Sequence, residues 1–237
     1  MKSAFAKGVS NGIPIALGYF SVSFGFGISA VNMGISALNA FIISLTNLTS
    51  AGQLMGITVI AAGGTLLEMA ATQLVINLRY SLMGITLSQK LSDKFNTFHR
   101  MCVAFGITDE IFAVAVSRHG KIEPSYMYGL ISVAMLGWTS GTVAGSVANM
   151  LLPEALAVAM GIMLYGMFIA IIVPPARKSV KVLTVILISA GISAVFYYFV
   201  PSVPSGFAII ISAVVAAVVG ALLFPVEDEK ETEEEKQ

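Results

Sequence analysis

Three carboxylates and one guanidinium stand in stretches of this sequence that are otherwise apolar: Glu68, Arg79, Asp109 and Glu110. An ionisable side chain in such surroundings is costly unless it is paired or hydrated, so it marks a substrate or proton path by default. On a helix, neighbouring positions 109 and 110 point about 100° apart, which gives the two acids different tasks. One is suited to a substrate ammonium and the other to a coupling proton, because a carboxyl buried beside a like charge can exchange protons near neutral pH. Glu68 is the next proton-carrier candidate. The competing reading makes Thr108 an N-cap and the two acids first-turn residues of a short helix. Glu68 precedes Arg79 by 11 residues, or about 16 Å of helix, so the two cannot pair within one straight helix. A partner for Arg79 must come from another segment.

The second polar constellation is the run Asn47-Leu48-Thr49-Ser50-Ala51-Gly52-Gln53. A helix that restarts in such a turn offers free backbone N–H groups and a positive dipole end, and Gly52 lets a ligand approach that backbone closely. Asn47, Thr49, Ser50, Gly52 and Gln53 are therefore candidates to receive a carboxylate. Arg79 is the alternative receiver. His99 and His119 are read as loop residues with no nucleophile in reach, so no hydrolase constellation forms and the chain is read as a non-enzyme. No metal or other cofactor is expected.

These groups must be positioned by elements that can live in a bilayer. Hydrophobic residues make up 57% of the chain and charged ones 11%, where soluble domains carry about 25% charged residues. The apolar runs lack the alternation of a membrane β-strand, so the fold class is an all-α integral membrane protein with about six to eight transmembrane helices. Apolar segments are placed at about 9–31, 35–62, 65–88, 101–117, 124–151, 154–173, 180–199 and 205–225. The domain reading is a single transmembrane domain over 1–225, followed by an acidic, disordered cytoplasmic tail over 226–237. The first segment is too long for a secretory leader and is read as a retained span. Cys102 is read as a buried free thiol.

Basic residues cluster at Lys2 and Lys7, from Lys90 to Arg100, from Arg118 to Lys121, and from Arg177 to Lys181. Eight plain crossings cannot place all four clusters in the cytoplasm. If 35–62 and 101–117 instead enter and leave on one side, as broken or re-entrant segments, every cluster becomes cytoplasmic and so do both termini. Those are the two segments that carry the polar turns. Gly141 and Gly145 form a small-xxx-small pair read chiefly as close helix packing, and secondarily as a place where a partner could dock. Trp138, Tyr197 and Tyr198 are read as packing or interface anchors.

The ordered set Asn47-Leu48-Thr49-Ser50-Ala51-Gly52-Gln53, Asn77-Leu78-Arg79-Tyr80 and Thr108-Asp109-Glu110 resembles the AzlC-type large subunit of branched-chain amino acid permeases. The resemblance runs from about Gly12 to Phe224 and adds Asn77 to the substrate-binding candidates. It implies export of branched-chain or other small aliphatic amino acids across the cytoplasmic membrane, with a small AzlD-like membrane subunit as partner, and the acids at 68, 109 and 110 add the expectation that the proton gradient drives it. A channel or a permease for another solute is the alternative. Nucleic acid is not an expected partner.

Overall fold

Ser3 opens the first helix: its hydroxyl accepts the Ala6 N–H at 3.3 Å, and α1 then runs Ala4–Asn32 through Pro14. The computed structural model describes residues 3–149 and 172–225 together with 151, 153, 166 and 169. Two compact units divide the chain, residues 1–168 and 169–237. In the first, α1 is followed by α2 (Ala37–Thr46), α3 (Ser50–Ala61), α4 (Leu66–Ser88), α5 (Thr97–Phe105), α6 (Asp109–Val116) and α7 (Pro124–Asn149). The second contains α8 (Val180–Phe199) and α9 (Ser205–Leu223). No strand forms among the described residues, which bears out the all-α reading. The apolar segment expected over 154–173 and the acidic tail over 226–237 lie almost wholly outside the described residues.

Among the described residues, four helices are long and apolar enough to cross a bilayer: Ala4–Asn32, Pro124–Asn149, Val180–Phe199 and Gly206–Leu223. The 23 residues of α4 span about 34 Å and also suffice by length. The two polar segments do not. At 10 and 12 residues, α2 and α3 reach about 15 and 18 Å, roughly half of a ~30 Å hydrocarbon core. α5 and α6 are shorter still, at 9 and 8 residues. Both segments are therefore broken helices, the arrangement under which the basic clusters can share one side.

The scaffold is the pair α1 and α7. A Cβ on Gly8 would strike Tyr126, one on Gly137 Ala16, one on Gly141 Phe20 and Ser23, and one on Gly145 Phe24. Contacting positions rise together along both helices, so α1 and α7 run parallel with their backbones in close approach. Gly141 and Gly145 thus serve packing within the chain. Tyr126, Met127, Leu130, Ala134 and Trp138 of α7 are buried in the core of this unit with Ile15 and Tyr19 of α1.

Two hairpins enter this scaffold from opposite ends. The α2–α3 hairpin starts where α1 finishes: Gly34 (φ 84°) reverses the chain before α2, and Gly63 (φ 67°) reverses it after α3, conformations that suit glycine. Deeper in, Ser44 near the end of α2 lies 2.7 Å from Thr142 of α7. α3 then returns antiparallel to α4, with Gln73 beside Gly52, Met69 beside Gly56 and Glu68 beside Gly64. The α5–α6 hairpin starts at the opposite end, where α1 and α7 begin. Its base is tied by Ile122 N–H donating to Lys90 O (2.8 Å) and Ser92 N–H donating to Ile122 O (2.9 Å). Lys90 Nζ donates to the Val116 carbonyl, Lys121 Nζ to Gln89 O at 3.1 Å, and Lys94 pairs with Glu123 at 2.6 Å. The Lys94 hydrogen bond holds the exposed Glu123 carboxyl below the usual carboxylate range. Lys7, Lys90, Lys94, Arg118 and Lys121 thus belong to one end of this unit.

In the second unit α8 and α9 are antiparallel. Gly220 faces Val185, Ser193 Oγ donates to Ser212 Oγ at 3.1 Å, and Lys181 stands 5.9 Å from the Phe224 ring. Pro201 and Pro204 occupy the turn between them. Tyr197 and Tyr198 at the end of α8 are exposed, as interface anchors would be.

Candidate functional site

The breaks of the two hairpins meet at mid-height of the α1–α7 scaffold. One tip is Asn47-Leu48-Thr49 ahead of α3, and the other is Gly106-Ile107-Thr108 ahead of α6. Both expose a helix N-terminus, but they are finished differently. Thr108 caps α6 through its hydroxyl, which accepts the Ile111 N–H at 3.3 Å, and Asp109 and Glu110 lie in the first turn. The N-cap reading of Thr108-Asp109-Glu110 is therefore correct locally, and it coexists with the contacts described below. Thr49 makes no side-chain cap, so the first N–H groups of α3 are left open to an anionic group.

The first tip is held from within. Asn47 Oδ1 accepts the Thr49 N–H at 3.0 Å, and Gln53 Nε2 donates to the Asn47 carbonyl. Gln53 Oε1 accepts from Ser44 Oγ and from Trp138 Nε1, each at 3.2 Å. Gln53 is 1% exposed, so Asn47 and Gln53 shape the turn that presents Thr49, Ser50 and the α3 N-terminus. The space that Gly52 leaves open is taken by Gln73 of α4, whose Nε2 donates to the Gly52 carbonyl at 2.8 Å.

Two bridges connect the tips, one on each side. On the scaffold side the Tyr19 hydroxyl is 2.6 Å from Glu110 Oε2 and 2.5 Å from Thr108 Oγ1. The Tyr19 ring meets Trp138 edge-on at 5.3 Å, and Trp138 in turn holds Gln53 of the other tip. On the α4 side, consecutive residues reach opposite tips. Arg79 pairs with Asp109 at 3.0 Å, while the Tyr80 side chain lies beside Thr49. Arg79 also donates to Tyr80 Oη at 3.4 Å and stands 5.1 Å from its ring. The side chains of the ion pair are 45% and 43% exposed, so the pair is open to a ligand rather than sealed in the core.

Asn77, within one turn of Arg79, donates to Gln73 Oε1 at 3.2 Å, and its buried Oδ1 has no partner among the described residues. Glu68 is not part of this assembly. It is buried in the first turn of α4 beside Gly64, about 16 Å along the helix from Arg79. Arg79 does find its partner in another segment, as the spacing along α4 demands. His99 lies on α5 rather than in a loop, its Nδ1 2.6 Å from Tyr128 Oη, and Cys102 on the same helix is half-buried rather than buried. Capping by Asn96 starts α5 early enough to include His99. Sequence reading passed over Tyr19 and gave Trp138 only a packing role. The available signal was depth: both stand near the middle of their spans, whereas anchoring aromatics favour the ends.

Two half-helix tips, an accessible ion pair and a phenol-held carboxyl make a polar site at membrane depth, of the kind broken backbone forms where it lines a cavity. The model of the AzlC protein family matches residues 14–152, which contain every residue of both tips and both bridges. The chain is 25% identical over 206 residues to the inner membrane protein YgaZ of Escherichia coli (strain K12), covering 84% of each chain. It is 33% identical over 149 residues to an uncharacterized membrane protein of Archaeoglobus fulgidus, covering 62% of this chain and 64% of that one. An uncharacterized membrane protein of Helicobacter pylori (strain 26695) is 26% identical over 150 residues, with the same coverage. No solved structure matches the chain. With more than half of its length matched by the family model, and with a helical architecture suited to a membrane, the chain belongs to the AzlC family of membrane proteins.

Proposed function

We propose that this protein is a secondary transporter that exports branched-chain or other small aliphatic amino acids, driven by the proton gradient and working with a small AzlD-like membrane subunit. The observation that carries the reading is the Arg79–Asp109 pair, 3.0 Å apart and half-exposed beside the tip of a broken helix. A zwitterionic amino acid brings one carboxylate and one ammonium, each of which needs a partner away from water. Arg79 and the uncapped α3 N-terminus with Thr49 and Ser50 receive the carboxylate, the two meeting at Tyr80. Asp109 receives the ammonium, with Asn77 Oδ1 a further acceptor on α4. Binding thus exchanges an internal ion pair for two pairs with substrate, so neither charge is stranded in the empty state. Amino acid identity, direction and the partner subunit rest on the family resemblance, and proton coupling rests on the carboxylates in the apolar segments.

The test is counterflow of labelled leucine, isoleucine, valine and methionine in proteoliposomes, with and without the small subunit. Arg79→Gln and Asp109→Asn should each lower leucine exchange at least about tenfold, since a charge-assisted contact is worth roughly 1.5–3 kcal/mol. Saturable exchange kept at full rate in both variants would sink this reading.

A further inference from the structure

Asp109 and Glu110 adjoin in the chain but have separate partners. Asp109 Oδ2 is committed to Arg79 at 3.0 Å, whereas Glu110 Oε2 lies 2.6 Å from the Tyr19 hydroxyl. That hydroxyl is also 2.5 Å from Thr108 Oγ1. A carboxylate held by a fixed cation cannot take a proton without stranding its partner. One held by a phenol can be satisfied in both forms. Ionised, Glu110 accepts the Tyr19 O–H. Protonated, it donates its own proton to the Tyr19 oxygen, and the phenol turns its O–H to Thr108 Oγ1. Glu110 remains exposed away from Tyr19, which leaves a way in for the proton. The charged and titratable groups around it are Tyr19 on α1, Asp109 on its own helix, and Arg79 and Tyr80 on α4; α7 contributes Trp138 against the Tyr19 ring.

We propose that Glu110, with Tyr19 and Thr108, forms a proton-binding site separate from the Arg79–Asp109 pair. Its purpose rests on the transporter reading, but the site is testable without any substrate. A protonated carboxyl has a C=O stretch distinct from the carboxylate bands, so pH-difference infrared spectra of the protein in lipid report it directly. The expected result is a carboxyl band that changes with pH, is absent in Glu110→Gln and is retained in Asp109→Asn. Tyr19→Phe keeps both the carboxyl and the ring on Trp138, and should displace the midpoint of the band by about one pH unit. The proposal is overturned if no band titrates in the unmodified protein, or if the band survives Glu110→Gln and vanishes in Asp109→Asn or Glu68→Gln. An unmoved midpoint in Tyr19→Phe overturns it as well. If the band behaves as expected while leucine exchange is absent, the proton site stands and the amino acid reading falls.

Discussion

Gln53 shows how a residue that reads as a ligand becomes a structural link. One amide joins three elements: it donates to the Asn47 carbonyl of its own turn and accepts from Ser44 on α2 and Trp138 on α7. Removing it leaves the Asn47 carbonyl without its donor and the Trp138 indole N–H without its acceptor, at about 1–3 kcal/mol for each group left unsatisfied. Gln53→Ala should therefore lower the thermal unfolding temperature of the detergent-purified protein, and not merely its affinity. Trp138→Phe, which keeps an aromatic ring against Tyr19, should show a smaller loss of the same kind. An unfolding temperature equal to that of the unmodified protein in Gln53→Ala would return Gln53 to the list of direct ligands.

The elements obey a division of labour set by their length and their small residues. α1 and α7 are long, parallel and joined by glycines at backbone contact, whereas the hairpin limbs are too short to cross and are held to that scaffold by buried apolar side chains and side-chain hydrogen bonds. Gly145→Ala would drive a methyl into the Phe24 carbonyl, and overpacking of this kind costs about 1–3 kcal/mol. Gly18→Ala, on α1 but with nothing within 4 Å, should be neutral to within about 0.5 kcal/mol. Thermal unfolding of the two variants side by side checks the seam, and equal stability would mean that α1 and α7 do not touch there.

At the scale of the whole molecule, the hairpins explain how basic clusters can share one side. α2–α3 returns to the end it came from, so α4 leads back to the end where α1 began. α5–α6 also returns to its own end, so α7 starts beside Lys121. The positive-inside rule predicts that this end of the first unit faces the cytoplasm, so Arg100 and Lys121 should be reached only from inside, and the rule separately predicts the same of Lys178 in the second unit. Single cysteines placed at 100, 121 and 178 in a Cys102→Ser background and labelled with an impermeant reagent would show it. Labelling of position 121 in intact cells would overturn the orientation.

Much of this was legible in the sequence because it depends on local quantities. Apolar run lengths determined the helical membrane class, and polar residues in the middle of 35–62 and 101–117 marked where helices must break, since unsatisfied backbone at that depth needs cover. Helix rise alone showed that Glu68 and Arg79 could not pair. Which charge meets which was decided only by tertiary structure. Arg79 and Asp109 are 30 residues apart, Tyr19 and Glu110 are separated by 91 and Trp138 and Gln53 by 85. Such contacts are fixed by how α1, α4 and α7 pack around the hairpins, and no periodicity within one segment encodes them. Tyr19 meets Glu110 only because the packing of α1 against α7 sets its hydroxyl at the tip of a helix that enters from the other segment.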